Sequence, residues 1–312
     1  MPASNHPSPI NSIDTVIFDV DGVLWDAQAA YIRCGIHVAE RFCAEHGLPH
    51  PRLAFDDVMA FKRAGGFNSD WDTAWTLVVL AQARATGRIP ASISWAQLAA
   101  ESAGEGMTWA RRYADANAPD FDGLQQVFDA YYWGADRYPA IYDRQPVLHF
   151  RPGFAQAERP FAAPDLMARL RRAGVRLVGI ITGRNRNEMR SVFGGLDFDG
   201  LLSPDAIFTD EDGHKPDPAL LLRAIQALAA KRAVMVGDSI DDLRTVLHYR
   251  QLPPSQQPAP AFAVQIAPET EAEFWLSQGA DAVIPSVNDL PALLMRESGK
   301  AGNHQFTSHL RP

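Results

Sequence analysis

Two aspartates one residue apart, Asp19 and Asp21, stand just before Gly22 at the end of the apolar run Thr15-Val16-Ile17-Phe18. Carboxylates this close repel each other and are costly to take out of water, so a cation is expected between them. Carboxylate and carbonyl oxygens suit a hard ion such as Mg²⁺. Three further groups have the same polar-after-apolar form. Val178-Gly-Ile-Ile-Thr182-Gly183-Arg184 ends a second run in a hydroxyl and a glycine, and His214-Lys215-Pro216-Asp217-Pro218 brings in a lysine. Ala233-Val-Met-Val-Gly237-Asp238-Ser239-Ile240-Asp241-Asp242 ends another run in carboxylates. Any one of them alone could be a solvated turn; together they suggest chemistry on a charged oxygen-rich ligand.

The elements that must position these groups are short, Val/Ile-rich runs, which read as strands of a parallel sheet buried on both faces. Strands are predicted at Thr15–Val20, Arg176–Thr182, Asp205–Phe208, Ala233–Val236, Ala261–Ile266 and Asp281–Ile284. They alternate with helical patterns at about Pro164–Ala173, Arg186–Gly194, Pro218–Ala230, Asp241–Tyr249, Glu269–Gly279 and Asn288–Met295. Such alternation implies right-handed crossovers and a Rossmann-like α/β core, with helices on both faces of a parallel sheet. Ligands of open α/β sheets bind outside the carboxyl ends of the strands, where all four groups fall.

Between the first and second strands lies an insertion of roughly 130 residues, where a crossover needs only about a dozen. This stretch lacks long β-branched runs and reads as helices over about Ala27–His46, Phe55–Arg63, Ser69–Thr86, Trp95–Gly104, Trp109–Asn117 and Phe121–Tyr132. The expected organisation is a discontinuous core, 13–26 and 161–298, carrying an all-helical domain at 27–160. Residues 1–12 and 299–312 read as disordered tails, and Pro253–Pro260 as a surface loop. The aromatics Tyr131, Tyr132, Trp133, Tyr138 and Tyr142 read as core and hinge packing, because basic residues do not interleave them densely enough for a base-stacking surface.

In this order the four groups resemble the four motifs of the haloacid dehalogenase (HAD) superfamily, mostly Mg²⁺-dependent phosphatases, over about two-thirds of the chain. The helical insertion resembles the cap of subfamily I, the phosphoglycolate phosphatase-like enzymes, in which it closes over the active site. The resemblance implies that Asp19 is a nucleophile forming an aspartyl-phosphate, and that Asp21 protonates the leaving alkoxide and later activates water. It implies a Mg²⁺ held by the Asp19 carboxylate, the Asp21 backbone carbonyl and Asp238. Asp242 or Asp241 would support the metal site, and the family's four-residue spacing from Asp238 favours Asp242. Thr182, with Gly183 and nearby N–H groups, would hold the phosphoryl oxygens, and Lys215 would offset their charge. Thr182 could also cap a helix, and Lys215 could be a solvated loop lysine. Arg184 stays open between a phosphate contact and a surface salt bridge.

Asp21 narrows the reaction, since the family's dehalogenases and phosphonatases lack an aspartate at this place. Phosphatase stands first and sugar-phosphate phosphomutase second; a catalytically silent phospho-ligand binder has no support in motifs this complete. Substrate choice is expected in the insertion, at Phe61-Lys62-Arg63-Ala-Gly65-Gly66-Phe67-Asn68-Ser-Asp70-Trp71. Lys62, Arg63, Gly66 and Asn68 are the candidate contacts, by similarity to related capped enzymes. The plainer alternative is a helical corner with Lys62 and Arg63 solvated and Trp71 and Trp75 in the core. Two cations suit an acidic leaving group, such as phosphoglycolate or a second phosphate.

Composition sets the outer limits. A net charge of −8 over 312 residues argues against nucleic acid or an anionic membrane as partner. The two cysteines, Cys34 and Cys43, suggest buried thiols in a reducing cytosol. No run approaches the ~20 apolar residues of a membrane span, and Met1–Ser12 lacks the apolar core of a signal peptide. The expectation is a cytoplasmic enzyme acting on a small phosphorylated molecule, with nothing to separate monomer from homodimer.

Overall fold

The structure, a computed structural model, describes residues 10, 12–67, 69–296 and 309–310. Its contacts divide the chain into two compact units, Met1–Asp26 with Arg159–Pro312, and Ala27–Glu158. The chain begins with β1 (Thr15–Phe18) and the two-residue β2 (Trp25–Asp26). Then come α1 (Gln28–Glu45), α2 (Phe55–Ala64), α3 (Asp70–Ala85), α4 (Trp95–Ser102), α5 (Met107–Ala110) and α6 (Phe121–Tyr142). β3 (Arg159–Pro160) returns to pair antiparallel with β2, Trp25 opposite Pro160. The alternating part follows as α7 (Leu166–Arg172), β4 (Leu177–Ile181), α8 (Arg186–Phe193), β5 (Leu202–Phe208), α9 (Pro218–Ala227) and β6 (Ala233–Gly237). It ends with α10 (Ile240–Gln251), β7 (Ala261–Ile266), α11 (Ala272–Gln278), β8 (Ala282–Ile284), α12 (Leu290–Arg296) and β9 (His309–Leu310).

The sheet order is β5-β4-β1-β6-β7-β8-β9, parallel throughout except for β9, which runs antiparallel to β8. All residues of β1 and β6 are buried, as both faces of a central parallel strand must be. Register decides what lies at the rim. Phe18 faces Ile180 on one side and Val236 on the other, so β4, β1 and β6 end level. The covering helices bury one apolar face each. In α9 this face is Leu220, Leu221, Ala224 and Ile225, at one-turn spacing. Fully burying each leucine or isoleucine contributes about 1.5–3 kcal/mol. At the opposite end of the sheet Asp14 takes Arg176 at 2.5 Å and the N–H groups of Lys231 and Arg232 at 3.1 Å, tying the starts of β1, β4 and β6 together.

In the helical unit, α3 is buried continuously from Thr73 to Ala83, which suits a central helix apolar on every side. Tyr131, Tyr132, Trp133 and Tyr138 belong to the buried core of this unit, with Tyr132 stacked on Tyr31 at 4.2 Å. α6 runs ten residues past the predicted end at Tyr132, through a kink at Gly134, whose φ of 68° is non-helical. The helix expected at Trp109–Asn117 is shorter. After α5 a 3-10 turn at Arg111–Tyr113 ends in extended Ala114, and Asp115 Oδ1 accepts from the Asn117 N–H at 2.8 Å, a side-chain bond that competes with continued helix.

Of the stretches read as tails, Ile10 is buried and His309–Leu310 form the edge strand β9; Ser12 is exposed, and the others lie outside the described residues. Pro253–Pro260 contains a 3-10 turn at Pro254–Gln256. No described helix is long and apolar enough to cross a membrane.

Candidate active site

The ladder of the sheet carries directly into the motif residues. Asp19 N–H donates to Val236 O at 2.9 Å, and Thr182 N–H donates to Phe208 O at 3.0 Å. Asp19 thus stands at the tip of β1, Thr182 at the tip of β4 and Asp238 just beyond β6. Gly22 makes the turn over them possible. Its φ is +76°, and a Cβ there would fall 1.9 Å from Asp238 Oδ2, so a side chain would both strain the backbone and displace the carboxylate.

Carboxylate oxygens of Asp19, Asp238 and Asp242 lie within 4.8 Å of one another. Lys215 enters this group from the loop before α9. Its Nζ is 3.0 Å from Asp19 Oδ2 and 2.6 Å from Asp242 Oδ1, and its side chain is 3% exposed. Asp19 and Asp242 therefore share one ammonium, and with half-buried Asp238 beside them the cluster keeps an excess of negative charge. Loss of water raises the Asp19 pKa from 3.8 to about 7, with Asp242 and Asp21 adding to the rise and Lys215 opposing it. Desolvation, then Asp19 and Asp242, push Asp238 well above the usual carboxylate range. Burial alone would lower the Lys215 pKa, but Asp19 and Asp242 outweigh it and hold the ammonium charged.

Asp242 is held on both oxygens. Ser239, the N-cap of α10, donates from Oγ to Asp242 Oδ2 at 2.6 Å and accepts from Asp242 N–H at 3.2 Å, while Ser239 N–H donates to Oδ2 at 3.1 Å. This is a capping box whose third residue is a site carboxylate. Ser239 was not singled out in the sequence, although its Ser-x-x-Asp spacing is the ordinary signal of such a box. Asp241, one residue earlier, points elsewhere and pairs with Arg244 at 3.6 Å.

Asp21 lies beside this cluster with its carboxylate in another cation. Arg184 Nε reaches Asp21 Oδ1 and Oδ2 at 3.0 and 2.9 Å, and Nη2 reaches Oδ1 at 2.7 Å. The salt bridge left open for Arg184 is present, but it is buried: the arginine side chain is 1% exposed and that of Asp21 29%. Thr182 is buried, and its Oγ1 accepts from Arg184 N–H at 3.2 Å; the N-cap of α8 is Asn185, not Thr182. A side chain at Gly183 would meet no atom within 4 Å, so its backbone borders open space.

The remaining candidates belong to the helical unit. Lys62, in the last turn of α2, pairs with Asp70 of α3 at 2.8 Å and spans the corner between the two helices. Gly66 has φ +77°, and a Cβ would come 2.4 Å from Gly104 O, so this corner is built on close backbone approach. Arg63 is exposed, and Asn68 lies outside the described residues.

Three carboxylates beside one ammonium form an oxygen-rich, net-negative site, and a hard divalent cation would offset both the desolvation and the mutual repulsion that raise Asp19 and Asp238. The residues fit Mg²⁺.

A parallel α/β sheet with an aspartate at the tip of its first strand, a lysine beside it and paired acids beyond a neighbouring strand defines a class of Rossmann-like hydrolases. Residues 13–246 match the haloacid dehalogenase-like hydrolase family, and the chain belongs to it. Among solved structures, phosphatase Tt82 from Thermococcus thioreducens is 25% identical with a TM-score of 0.61, covering 81% of this chain and 92% of that one. A provisionally assigned phosphoglycolate phosphatase from Lactobacillus delbrueckii subsp. bulgaricus is 20% identical with a TM-score of 0.57, covering 91% and 98%. An imidazoleglycerol-phosphate dehydratase from Phytophthora nicotianae is 22% identical over 233 residues, 74% of this chain. The match spans only 40% of that curated relative's length.

Proposed function

We propose that this chain is a Mg²⁺-dependent phosphatase that hydrolyses a small phosphorylated metabolite through an aspartyl-phosphate on Asp19. The observation that carries the reading is the Lys215 ammonium shared between Asp19 and Asp242, with Asp238 alongside. The name of the Thermococcus thioreducens relative supports phosphatase chemistry.

Phosphate monoesters hydrolyse extremely slowly in water, and a covalent intermediate divides the barrier. An Asp19 carboxylate oxygen bonds to phosphorus as the bond to the leaving oxygen breaks. Asp21 gives that oxygen its proton, then takes a proton from the water whose oxygen bonds to phosphorus and frees Asp19. The Lys215 ammonium holds Asp19 in place and offsets charge on the phosphoryl oxygens. Thr182 and the N–H groups around Gly183 receive those oxygens at the tip of β4. Asp19, Asp238 and the Asp21 backbone carbonyl would hold Mg²⁺, with Asp242 in support, and the ion when bound lowers the repulsion between a carboxylate and a phosphate dianion.

Lys62, Arg63, Gly66 and Asn68 are proposed to select the leaving group. Two cations among them support an acidic metabolite of the phosphoglycolate kind. The buried free thiols of Cys34 and Cys43 support a reducing, cytosolic setting.

The deciding experiment is hydrolysis of p-nitrophenyl phosphate and of a panel of phosphorylated metabolites, with Mg²⁺ and with chelator. Turnover that needs Mg²⁺ and is absent in Asp19→Asn supports the reading. Undiminished turnover in chelator, or in Asp19→Asn, overturns it. Interconversion of sugar phosphates without net release of phosphate would assign a mutase instead.

A further inference from the structure

We propose that Arg184 is a positioning residue that acts through Asp21: it sets the direction of the carboxylate that handles the leaving-group proton, and it does not hold the phosphoryl group. The proposal rests on the phosphatase reading above and adds a role for a residue that the reading leaves unassigned.

Arg184 Nε reaches both oxygens of Asp21, and Nη2 adds a third short contact. A planar guanidinium gripping a carboxylate in this way fixes its orientation as well as its position, which a lysine ammonium cannot do. The burial of the pair is asymmetric. The arginine is almost wholly enclosed, whereas the Asp21 side chain keeps 29% of its surface open. The carboxylate is thus the presented group and the arginine its support.

The support is itself held in place. Arg184 N–H donates to Thr182 Oγ1, and Arg184 O accepts from Asp210 N–H at 3.1 Å, so its backbone is held on both sides. Asp21 has less to hold it. It stands in the turn closed by Gly22 N–H donating to Trp25 O at 2.9 Å, which orders its backbone but not its side chain. An unsupported aspartate at this exposure would sample several rotamers, and displacement by about 1 Å from a productive geometry costs on the order of 100-fold in rate.

The pairing also divides the cations by task. Lys215 serves Asp19 and Asp242, among the carboxylates of the proposed metal and phosphoryl site. Arg184 serves Asp21, the one carboxylate whose proposed work is on the leaving group. Loss of Arg184 should therefore be felt in proportion to how much the leaving group needs a proton.

A double-mutant cycle tests this with Arg184→Gln, Asp21→Asn and the combined variant, on p-nitrophenyl phosphate and on an aliphatic ester such as glycerol phosphate. Arg184→Gln should lower kcat on the aliphatic ester by about 10–100-fold, part of the 10²–10⁴ that a positioned acid contributes. It should lower kcat on p-nitrophenyl phosphate far less, and leave KM and the affinity for inorganic phosphate near wild type. In the Asp21→Asn background it should cost nothing further. Mg²⁺ binding, read by calorimetry, should be unchanged, which separates a positioning role from damage to the metal site.

Multiplicative losses in the double mutant, or weakened binding of inorganic phosphate, would overturn the proposal and make Arg184 a phosphate ligand. Should Arg184→Gln fail to fold, Arg184→Lys carries the same cycle, because it keeps the charge and removes the fork. The expected result is then a loss confined to the aliphatic ester, and equal losses on both esters overturn the proposal. A wild-type protein inactive on every phosphate ester would overturn the phosphatase reading itself, an outcome distinct from any of these.

Discussion

Charged residues are used differently in the two units. In the helical unit they form salt bridges of opposite charge, as Lys62 with Asp70, Arg88 with Asp115 and Arg112 with Glu105. Other cations there cover aromatic rings, as Arg84 does Trp95 at 4.0 Å and Arg111 does Trp75 at 5.3 Å. At the sheet rim, three acids gather where there is one lysine, and the pKa values of Asp19 and Asp238 rise. A balanced pair serves packing and solubility. A buried imbalance is a cost to the fold, and it persists where something absent from the resting chain completes the charge. The contrast locates function more sharply than any count of charged residues would.

Asp19→Asn should break the rim most completely. Turnover falls below detection, since no other group there takes the phosphoryl, while the metal-free melting temperature stays level or rises because one crowded charge is gone. A clear fall in melting temperature would mean that the Asp19–Lys215 pair is structural. On the helical side the largest effect is expected at Phe61, which is fully buried and packs edge-on against Phe67 at 5.4 Å. Phe61→Ala should cost about 3–5 kcal/mol, read by denaturant unfolding. A cost below 1 kcal/mol would show that this corner is loosely packed.

Lys62→Ala and Arg63→Ala test whether balanced charges in the helical unit also have a second task. Each should lower kcat/KM on the true metabolite by about 1–3 kcal/mol and leave p-nitrophenyl phosphate nearly untouched, since that ester offers no polar handle. Parallel losses on both substrates with a lower melting temperature would confine Lys62 to bridging α2 and α3. Ser239→Ala removes a cap and one support of Asp242, and should cost about 1 kcal/mol of stability. Its effect on kcat then reports how far the box orients Asp242.

A pH drift of opposite sign is expected in the two units. Asp19 has its folded pKa raised from 3.8 to about 7, so the metal-free fold keeps a proton that the unfolded chain has released. Stability present below about pH 4 is therefore lost as pH rises through about 7. His37 in the helical unit is shifted the other way from 6.5, first by burial and then by Arg41, with Glu40 opposing. The unfolded chain then takes the proton first, and stability is lost as pH falls below 6.5. Melting curves in chelator across about pH 5–8 should show Asp19→Asn flattening the alkaline loss and His37→Phe the acidic one. Profiles unchanged by either substitution would remove both groups as the cause.

Much of the rim was legible along the chain because its signals are local. An apolar run, a glycine and then an acid mark a strand and its end, and they place Asp19, Thr182 and Asp238 without knowledge of any neighbour. Ser239 is equally legible, since a capping box spans only four residues. Asp242, not Asp241, joins the cluster because N3 of a capped helix turns back toward its own cap. Helix ends were read less well in the insertion. Gly134 and the Asp115 turn redirect the backbone there without interrupting the apolar pattern.

Partners were another matter. Arg184 and Asp21 are 163 residues apart, and they meet because β4 lies beside β1 in register. Lys215 and Asp242 meet because β6 lies on the other side of β1 and α10 begins at its tip. Strand ends, caps and charge excess follow from short stretches of chain and are written there. Which cation serves which carboxylate follows from sheet order and register, and these depend on how the whole apolar surface is buried at once.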